Sequence, residues 1–215
     1  MITTFVPGTH AYRAPSDGSI IVGDRDPRWW QPGSPFYRHA LAHGVRMMPG
    51  ARPYTWTTGV DGLDDHHTVW RVCGETLYER YIPSVCPDRQ VSGAETSILT
   101  HSHGLQGVLY AASFGLKIAV LISVTSPVRR DMRRIAERAR PNIGTWIHLH
   151  SDWSDWWQIL GSIGDGEFRL SRRHPLADQN IKIPNAGHSR LLEDPSYFPL
   201  WVERGWLARL RGTNV

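Results

Sequence analysis

The chain has 215 residues, of which 40% are hydrophobic and 20% are charged, and 24 Lys and Arg residues against 20 Asp and Glu residues give a net charge of +4. This composition is typical of a globular domain with one buried core, and a chain of this length needs neither disulfides nor metal ions to stabilise such a core. The longest apolar run, residues 118–124, is far shorter than the roughly 20 residues of a membrane-spanning helix, which excludes a transmembrane span.

Short apolar strands and helices alternate along the chain. Strands are predicted at residues 2–6, 53–58, 97–100, 117–124, 143–150 and 181–183. Helices are predicted at residues 36–45, 66–81, 105–114, 128–140 and 199–210. The alternation predicts an α/β fold with a mostly parallel central sheet of about six strands flanked by helices. We expect one domain over residues 1–215.

The N-terminus and the cysteines indicate a reducing compartment. Residues 1–7 lack the basic segment, apolar stretch and cleavage site of a signal peptide, so we expect a cytoplasmic protein. Cys73 and Cys86 are the only cysteines and have no metal-ligand spacing. We expect both to be reduced and structural.

The positive charge is almost entirely arginine, because Lys117 and Lys182 are the only lysines. The one dense basic segment, residues 128–140, has apolar residues at 128, 132, 135, 136 and 139, which is helical spacing. Its arginines are therefore predicted to form the solvated face of an amphipathic helix. The segment has no interleaved aromatic residues and belongs to no recognisable nucleic-acid-binding module, so we expect no nucleic-acid partner.

A serine lies at the turn between the strand 97–100 and the next helix, and it has candidate catalytic partners. A serine hydroxyl is a poor nucleophile at neutral pH, so a serine hydrolase needs an imidazole base, an acid that orients it and backbone donors for the oxyanion. Ser102 lies at this turn, and Gly104 leaves room for it. His188 follows the last predicted strand, and Asp155 or Asp152 follows the strand before it.

The segment Thr100–Gly104 resembles the nucleophile elbow of the α/β-hydrolase family, and the chain order Ser102, Asp155, His188 matches that family's order of nucleophile, acid and base. Three further segments resemble parts of the same family. Residues 5–9 resemble the strand-to-loop segment that supplies one oxyanion donor, and residues 122–127 resemble the strand end after the nucleophile helix. Residues 186–189 resemble the setting of the catalytic histidine. The resemblance runs from about residue 2 to residue 210. Thr100 departs from it, because the usual G-x-S-x-G pattern has glycine there.

The resemblance implies a serine hydrolase that cleaves an ester or related acyl bond through an acyl-enzyme, with no metal and no organic cofactor. Ser102 would be the nucleophile, His188 the general base and then the general acid, and Asp155 the orienting acid, with Asp152 as the alternative acid. The expected partner is a small-molecule acyl substrate; the sequence assigns neither its acyl group nor an oligomeric state.

The resemblance also implies the surroundings of the nucleophile. The backbone N–H groups of Thr9 and His103 would form the oxyanion hole. Three residues are candidates for the walls of the substrate pocket: His10, Trp156 and Trp157. Only one helix is predicted between Val124 and Ile143, so the large cap domain that many relatives place there is expected to be absent.

Two alternatives come from other classes of protein. His101 and His103 also resemble the start of the metal-binding motif of metallo-β-lactamase-like zinc hydrolases, in which Asp and His follow two and three residues later. Here Leu105 and Gln106 occupy those places and supply neither a carboxylate nor an imidazole. The other alternative is a non-catalytic binding protein with a hydrolase-like fold.

Overall fold

The computed structural model describes residues 1–8, 28–47, 66–85, 96–152, 155 and 172–213. These residues form an α/β fold around a five-stranded sheet in which the strands follow one another in chain order and every neighbouring pair is parallel. The strands are β1 Ile2–Val6, β2 Thr96–His101, β3 Ile118–Val124, β4 Ile143–Ser151 and β5 Gln179–Ile183. The predicted α/β class and parallel sheet are confirmed. The described strands number five rather than about six, and the other expected strand, 53–58, lies outside the described residues.

Strand β2 is buried at every position and β4 at most positions, as parallel strands covered by helices on both faces are, whereas β5 is buried only at Ile183. Successive residues point to opposite faces, so neighbours along one strand enter different cores. Three consecutive strands contribute Ile98, Leu121 and Trp146 to one core and Leu99, Ile122 and Ile147 to the other.

Helices cover both faces of the sheet. They are α1 Pro35–Ala42, α2 His66–Thr76, α3 Ile82–Val85, α4 Gly104–Ser113, α5 Arg133–Ala139, α6 Arg190–Glu193, α7 Phe198–Glu203 and α8 Trp206–Arg211, and a π-helical segment, Leu77–Tyr81, joins α2 to α3. Helices α2, α4 and α5 pack on the first core, and α1, α6, α7 and α8 pack on the second. None of the helices in the described ranges is long and apolar enough to cross a membrane.

Glycines interrupt two of the predicted helices. The helix predicted to reach residue 45 ends at Ala42, because Gly44 turns the chain with φ of 79°. The helix predicted at 199–210 is divided into α7 and α8 at Gly205, whose φ is 66°. Cys73 is buried, whereas Cys86 lies outside the described residues.

The arginine-rich segment is only partly helical. Helix α5 begins at Arg133, five residues later than predicted, and its arginines Arg133, Arg134 and Arg138 are exposed. The prediction of a solvated side chain is wrong for Arg129, which precedes the helix. Its Nη2 lies 2.7 Å from Asp131 Oδ2, and its guanidinium lies 4.9 Å from the centre of the Trp70 ring. This ion pair and the cation–π contact draw the side chain out of water.

Candidate active site

Ser102 lies at the carboxyl edge of the sheet, directly after β2. Its backbone N–H donates to the carbonyl oxygen of Val124, the last residue of β3, at 3.0 Å. Its φ is 53°, a left-handed conformation that non-glycine residues rarely adopt. Such strain is characteristic of sharp strand-to-helix turns that present a nucleophile above the sheet.

Two glycines make this turn possible by letting the backbone approach closely. A Cβ atom on Gly8 would lie 2.5 Å from Ser102 Cβ and 3.2 Å from Ser102 Oγ. A Cβ atom on Gly104 would lie 2.7 Å from Thr100 Oγ1. Thr100 therefore fits where the family pattern has glycine because residue 104 has no side chain. Its buried hydroxyl has no hydrogen-bond partner among the described residues.

The structure brings the three residues predicted as a catalytic triad together. Ser102 Oγ lies 3.1 Å from Nε2 of His188, and Nδ1 of His188 lies 3.2 Å from both carboxylate oxygens of Asp155. The carboxylate only accepts, so Nδ1–H donates to Asp155 and Nε2 is left to accept the serine proton. The Asp155 side chain is fully buried, whereas 21% of the His188 side chain is exposed.

The two candidate acids occupy different places. Asp155 faces the His188 ring, whereas Asp152 Oδ2 accepts a hydrogen bond from the backbone N–H of Asn185 at 3.2 Å. Asn185 begins the turn that leads to His188, and its φ is 59°. The Asp155 carboxylate therefore bonds to the His188 ring, whereas the Asp152 carboxylate bonds to the backbone of the loop that carries His188.

The backbone of His188 is held by two strand ends. Its carbonyl oxygen accepts hydrogen bonds from Thr125 Oγ1 at 2.6 Å and from Nε2 of His101 at 3.0 Å. Because a carbonyl oxygen only accepts, His101 has its proton on Nε2. The His101 ring also packs edge-on against the His188 ring, with 4.7 Å between ring centres. These contacts fix His188 relative to Ser102.

His103 follows the nucleophile and precedes α4, so its backbone N–H lies at the positive end of that helix. Its ring stacks on Trp70 with 5.7 Å between ring centres, and Arg129 lies against the same indole. This packing supports the turn in which the proposed oxyanion donor lies. The second predicted donor, Thr9, and the predicted pocket residues His10, Trp156 and Trp157 lie outside the described residues.

The two histidines of the zinc-hydrolase alternative have separate contacts. His101 Nε2 is committed to the His188 carbonyl oxygen, and His103 stacks on Trp70. In the part of the chain that the structure describes, no three His, Cys, Asp or Glu side chains are grouped as metal ligands. His148 and His150 are both buried.

Sequence reasoning missed three residues of this site. His101 precedes Ser102 and Thr125 follows β3, so the sequence predicts that both lie near the sheet edge. It does not predict that both donate to the carbonyl oxygen of His188. Arg172, whose Nη1 lies 3.5 Å from Asp155 Oδ2, is 17 residues from its partner and belongs to no motif.

Neither a protein-family model nor a curated protein sequence matches this chain.

Proposed function

We propose that this protein is a serine hydrolase with an α/β-hydrolase-like fold that cleaves an ester or related acyl bond through an acyl-enzyme. One observation carries the proposal: Ser102, His188 and Asp155 form a continuous chain of hydrogen bonds at the carboxyl edge of a parallel sheet. The serine at the start of this chain is held with φ of 53°, a conformation maintained by its surroundings.

Acylation uses each of these groups once. Ser102 Oγ attacks the substrate carbonyl carbon while its proton passes to Nε2 of His188, and the Asp155 carboxylate stabilises the imidazolium that forms. The carbonyl oxygen becomes an oxyanion that the backbone N–H of His103 stabilises, together with that of Thr9 as the family resemblance implies. The tetrahedral intermediate then expels the leaving group, which takes the proton from His188.

Deacylation repeats the sequence with water. His188 removes a proton from a water molecule, whose oxygen attacks the acyl carbon of the ester on Ser102. The second tetrahedral intermediate expels Ser102 Oγ, which regains a proton from His188 and releases the carboxylic acid. The protein returns to its starting state, and the balance requires only the substrate and one water molecule.

Labelling with a fluorophosphonate tests this proposal without a known substrate, because the activated serine displaces fluoride from phosphorus. We expect one adduct per chain, located on Ser102 by peptide mass spectrometry, and a labelling rate at least about a thousandfold lower for Ser102→Ala. Zinc is measured in the same sample. A folded protein that forms no adduct and contains one or two zinc ions per chain would favour the His101/His103 alternative. One without adduct or zinc would favour a binding protein.

The two aspartates provide a matched pair for the same measurement. Asp155→Asn should lower the labelling rate on the order of 10³- to 10⁴-fold, because an amide in place of the carboxylate favours the wrong tautomer of His188. Asp152→Asn should have an effect of about tenfold or less, since that side chain bonds to the Asn185 backbone and not to the imidazole. The reverse order would assign the acid to Asp152.

A further inference from the structure

The Asp155 carboxylate has a charged neighbour in addition to the His188 ring. Arg172 Nη1 lies 3.5 Å from Asp155 Oδ2, and its Nη2 donates to the Asp155 backbone carbonyl oxygen at 3.2 Å. Only 14% of the Arg172 side chain is exposed, and the Asp155 carboxylate is fully buried. Charges this close and this poorly hydrated interact strongly. Arg172 therefore offsets part of the negative charge that the His188 ring faces.

A chain of buried hydrogen bonds holds the backbone of Arg172. Trp146 Nε1 lies 2.9 Å from Ser123 Oγ, Ser123 Oγ lies 2.9 Å from Nδ1 of His148, and Nε2 of His148 lies 2.9 Å from the Arg172 carbonyl oxygen. An indole N–H only donates and a carbonyl oxygen only accepts, which fixes the two outer bonds, and burial keeps the imidazole neutral, so its Nδ1 accepts in the middle one. Trp146 donates to Ser123, Ser123 donates to His148, and His148 donates to Arg172.

The hydrogen bond from Ser123 to His148 requires a neutral imidazole, because only an unprotonated Nδ1 accepts. Complete burial of the ring, together with the neighbouring His174 and His150, lowers the pKa of His148 to about 3, although the hydrogen bond to the Arg172 carbonyl oxygen acts in the opposite direction. His148 therefore stays neutral over the pH range in which a serine triad works. The directions of the hydrogen bonds do not change there.

The other groups around the His188 ring are few in the described part of the chain. His101 approaches from β2, and Glu193 of α6 interacts electrostatically with both His188 and Arg28. Partial burial raises the pKa of Glu193, and the attraction of Arg28 and His188 opposes that effect. Asp152 is engaged with the histidine loop. Arg172 is the cation in direct contact with the acid.

We propose that Arg172 is a positioning residue of the triad, held by the buried His148, that fixes the Asp155 carboxylate and sets the lower pH limit of the reaction by offsetting its charge. The inference rests on the proposed serine-hydrolase function. Without the guanidinium, the full charge of Asp155 would favour protonated His188, which is unable to accept the serine proton. The reaction would then begin only at higher pH.

The test is the second-order rate constant of fluorophosphonate labelling, measured from pH 5 to pH 9 on the full-length protein. For Arg172→Gln we expect the acidic limb of the profile to move about one pH unit towards higher pH. Arg172→Lys keeps the charge and should leave that limb near its wild-type position. Arg173→Gln is the matched control, because it removes an equal charge from the exposed neighbouring residue and should not move the limb.

A lower plateau for Arg172→Gln with an unmoved acidic limb would overturn the inference, because it would show a purely structural role. A wild-type protein that is not labelled at Ser102 would instead refute the proposed function, so the two failures are distinguishable.

A second pair of variants covers the case in which Arg172→Gln does not fold. His148→Leu removes the donor to the Arg172 carbonyl oxygen and should move the limb in the same direction by a smaller amount. His148→Gln retains an N–H donor and should stay closer to wild type. Equal wild-type profiles for both variants would also overturn the inference.

Discussion

Two buried threonines, Thr100 and Thr125, lie at the carboxyl ends of the neighbouring strands β2 and β3. Their hydroxyl groups differ in whether they have a hydrogen-bond partner. Thr125 Oγ1 donates to the His188 carbonyl oxygen at 2.6 Å, whereas Thr100 Oγ1 has no partner among the described residues. Both side chains are almost completely buried. Burying a hydroxyl without a partner destabilises a protein, whereas a buried hydrogen bond stabilises it.

The same isosteric substitution should therefore have opposite effects at the two positions. Thr125→Val should lower the free energy of unfolding by about 1–2 kcal/mol and slow fluorophosphonate labelling about tenfold, because the base loses one support. Thr100→Val should raise the free energy of unfolding by roughly 1 kcal/mol and leave the labelling rate within about twofold of wild type. Urea unfolding and labelling kinetics measure both quantities.

Backbone strain does not contribute to the difference between the two substitutions. Thr125 has φ of 44°, and valine is β-branched like threonine, so the cost of the left-handed conformation is the same before and after the substitution. Equal losses of stability and rate at both positions would contradict the assignment of Thr125 as a support of His188.

At the level of single residues, the sequence allowed the nucleophile, base and acid to be proposed because each follows a predicted strand. The carboxyl ends of parallel strands meet at one edge, so these side chains were expected to converge. The supporting contacts were not accessible in this way. The bond from His101 to His188 spans 87 residues and requires the register of β2 and the path of the histidine loop.

At the level of elements, the described strands were predicted to within two residues at each end, and helix ends were predicted less well. A parallel strand that is buried on both faces has a nearly continuous run of apolar residues, which can be recognised in the sequence. Helix ends depend on the conformation of single residues instead, such as the positive φ of Gly44 and Gly205. Helix α5 begins at Arg133, after a segment in which Arg129 pairs with Asp131, a contact that helical periodicity does not encode.

The contact between α2 and α4 depends on two glycines. A Cβ atom on Gly74 would lie 2.5 Å from Tyr110 Cβ, and a Cβ atom on Gly107 would lie 3.1 Å from Cys73 Cβ and closer still to its sulfur. The two helices therefore pack backbone to backbone. Since α4 begins just after Ser102 and α2 provides the Trp70 ring on which His103 stacks, this crossing supports the nucleophile turn.

Gly107→Ala tests that crossing. Alanine is favoured over glycine in a helix by about 1 kcal/mol, but overpacking costs about 1–3 kcal/mol, so we expect net destabilisation. In a Cys73→Ala background the sulfur is absent, and the same substitution should cost at least about 1 kcal/mol less. A double-mutant cycle in urea measures the coupling. A gain of stability from Gly107→Ala alone would show that the helices are not in close contact.

At the scale of the whole molecule, buried neutral histidines link folding to pH. Burial lowers the pKa of His148 to about 3, and burial also lowers the pKa values of His150 and His39. An unfolded histidine binds a proton near pH 6.5. Between about pH 3 and pH 6.5 the unfolded state therefore binds more protons than the folded state, and the free energy of unfolding must fall as the pH falls.

His148 should dominate this dependence. A shift from 6.5 to about 3 corresponds to roughly 5 kcal/mol over the whole interval, and to about 2 kcal/mol between pH 6.5 and pH 5. Urea unfolding at half-unit steps from pH 5 to pH 8 measures the slope. This range lies above the ordinary pKa values of Asp and Glu, so most carboxylates contribute little to it.

His148→Gln isolates the contribution of that ring, because glutamine does not titrate and retains an N–H donor for the Arg172 carbonyl oxygen. Glu193, whose raised pKa acts in the opposite sense, is present in both proteins and cancels in the difference. We expect the variant to be less stable than wild type near pH 7 and to approach it as the pH falls to 5. Parallel curves would mean that folding does not lower the pKa of His148, and the assigned direction of the hydrogen bond from Ser123 to His148 would then be wrong.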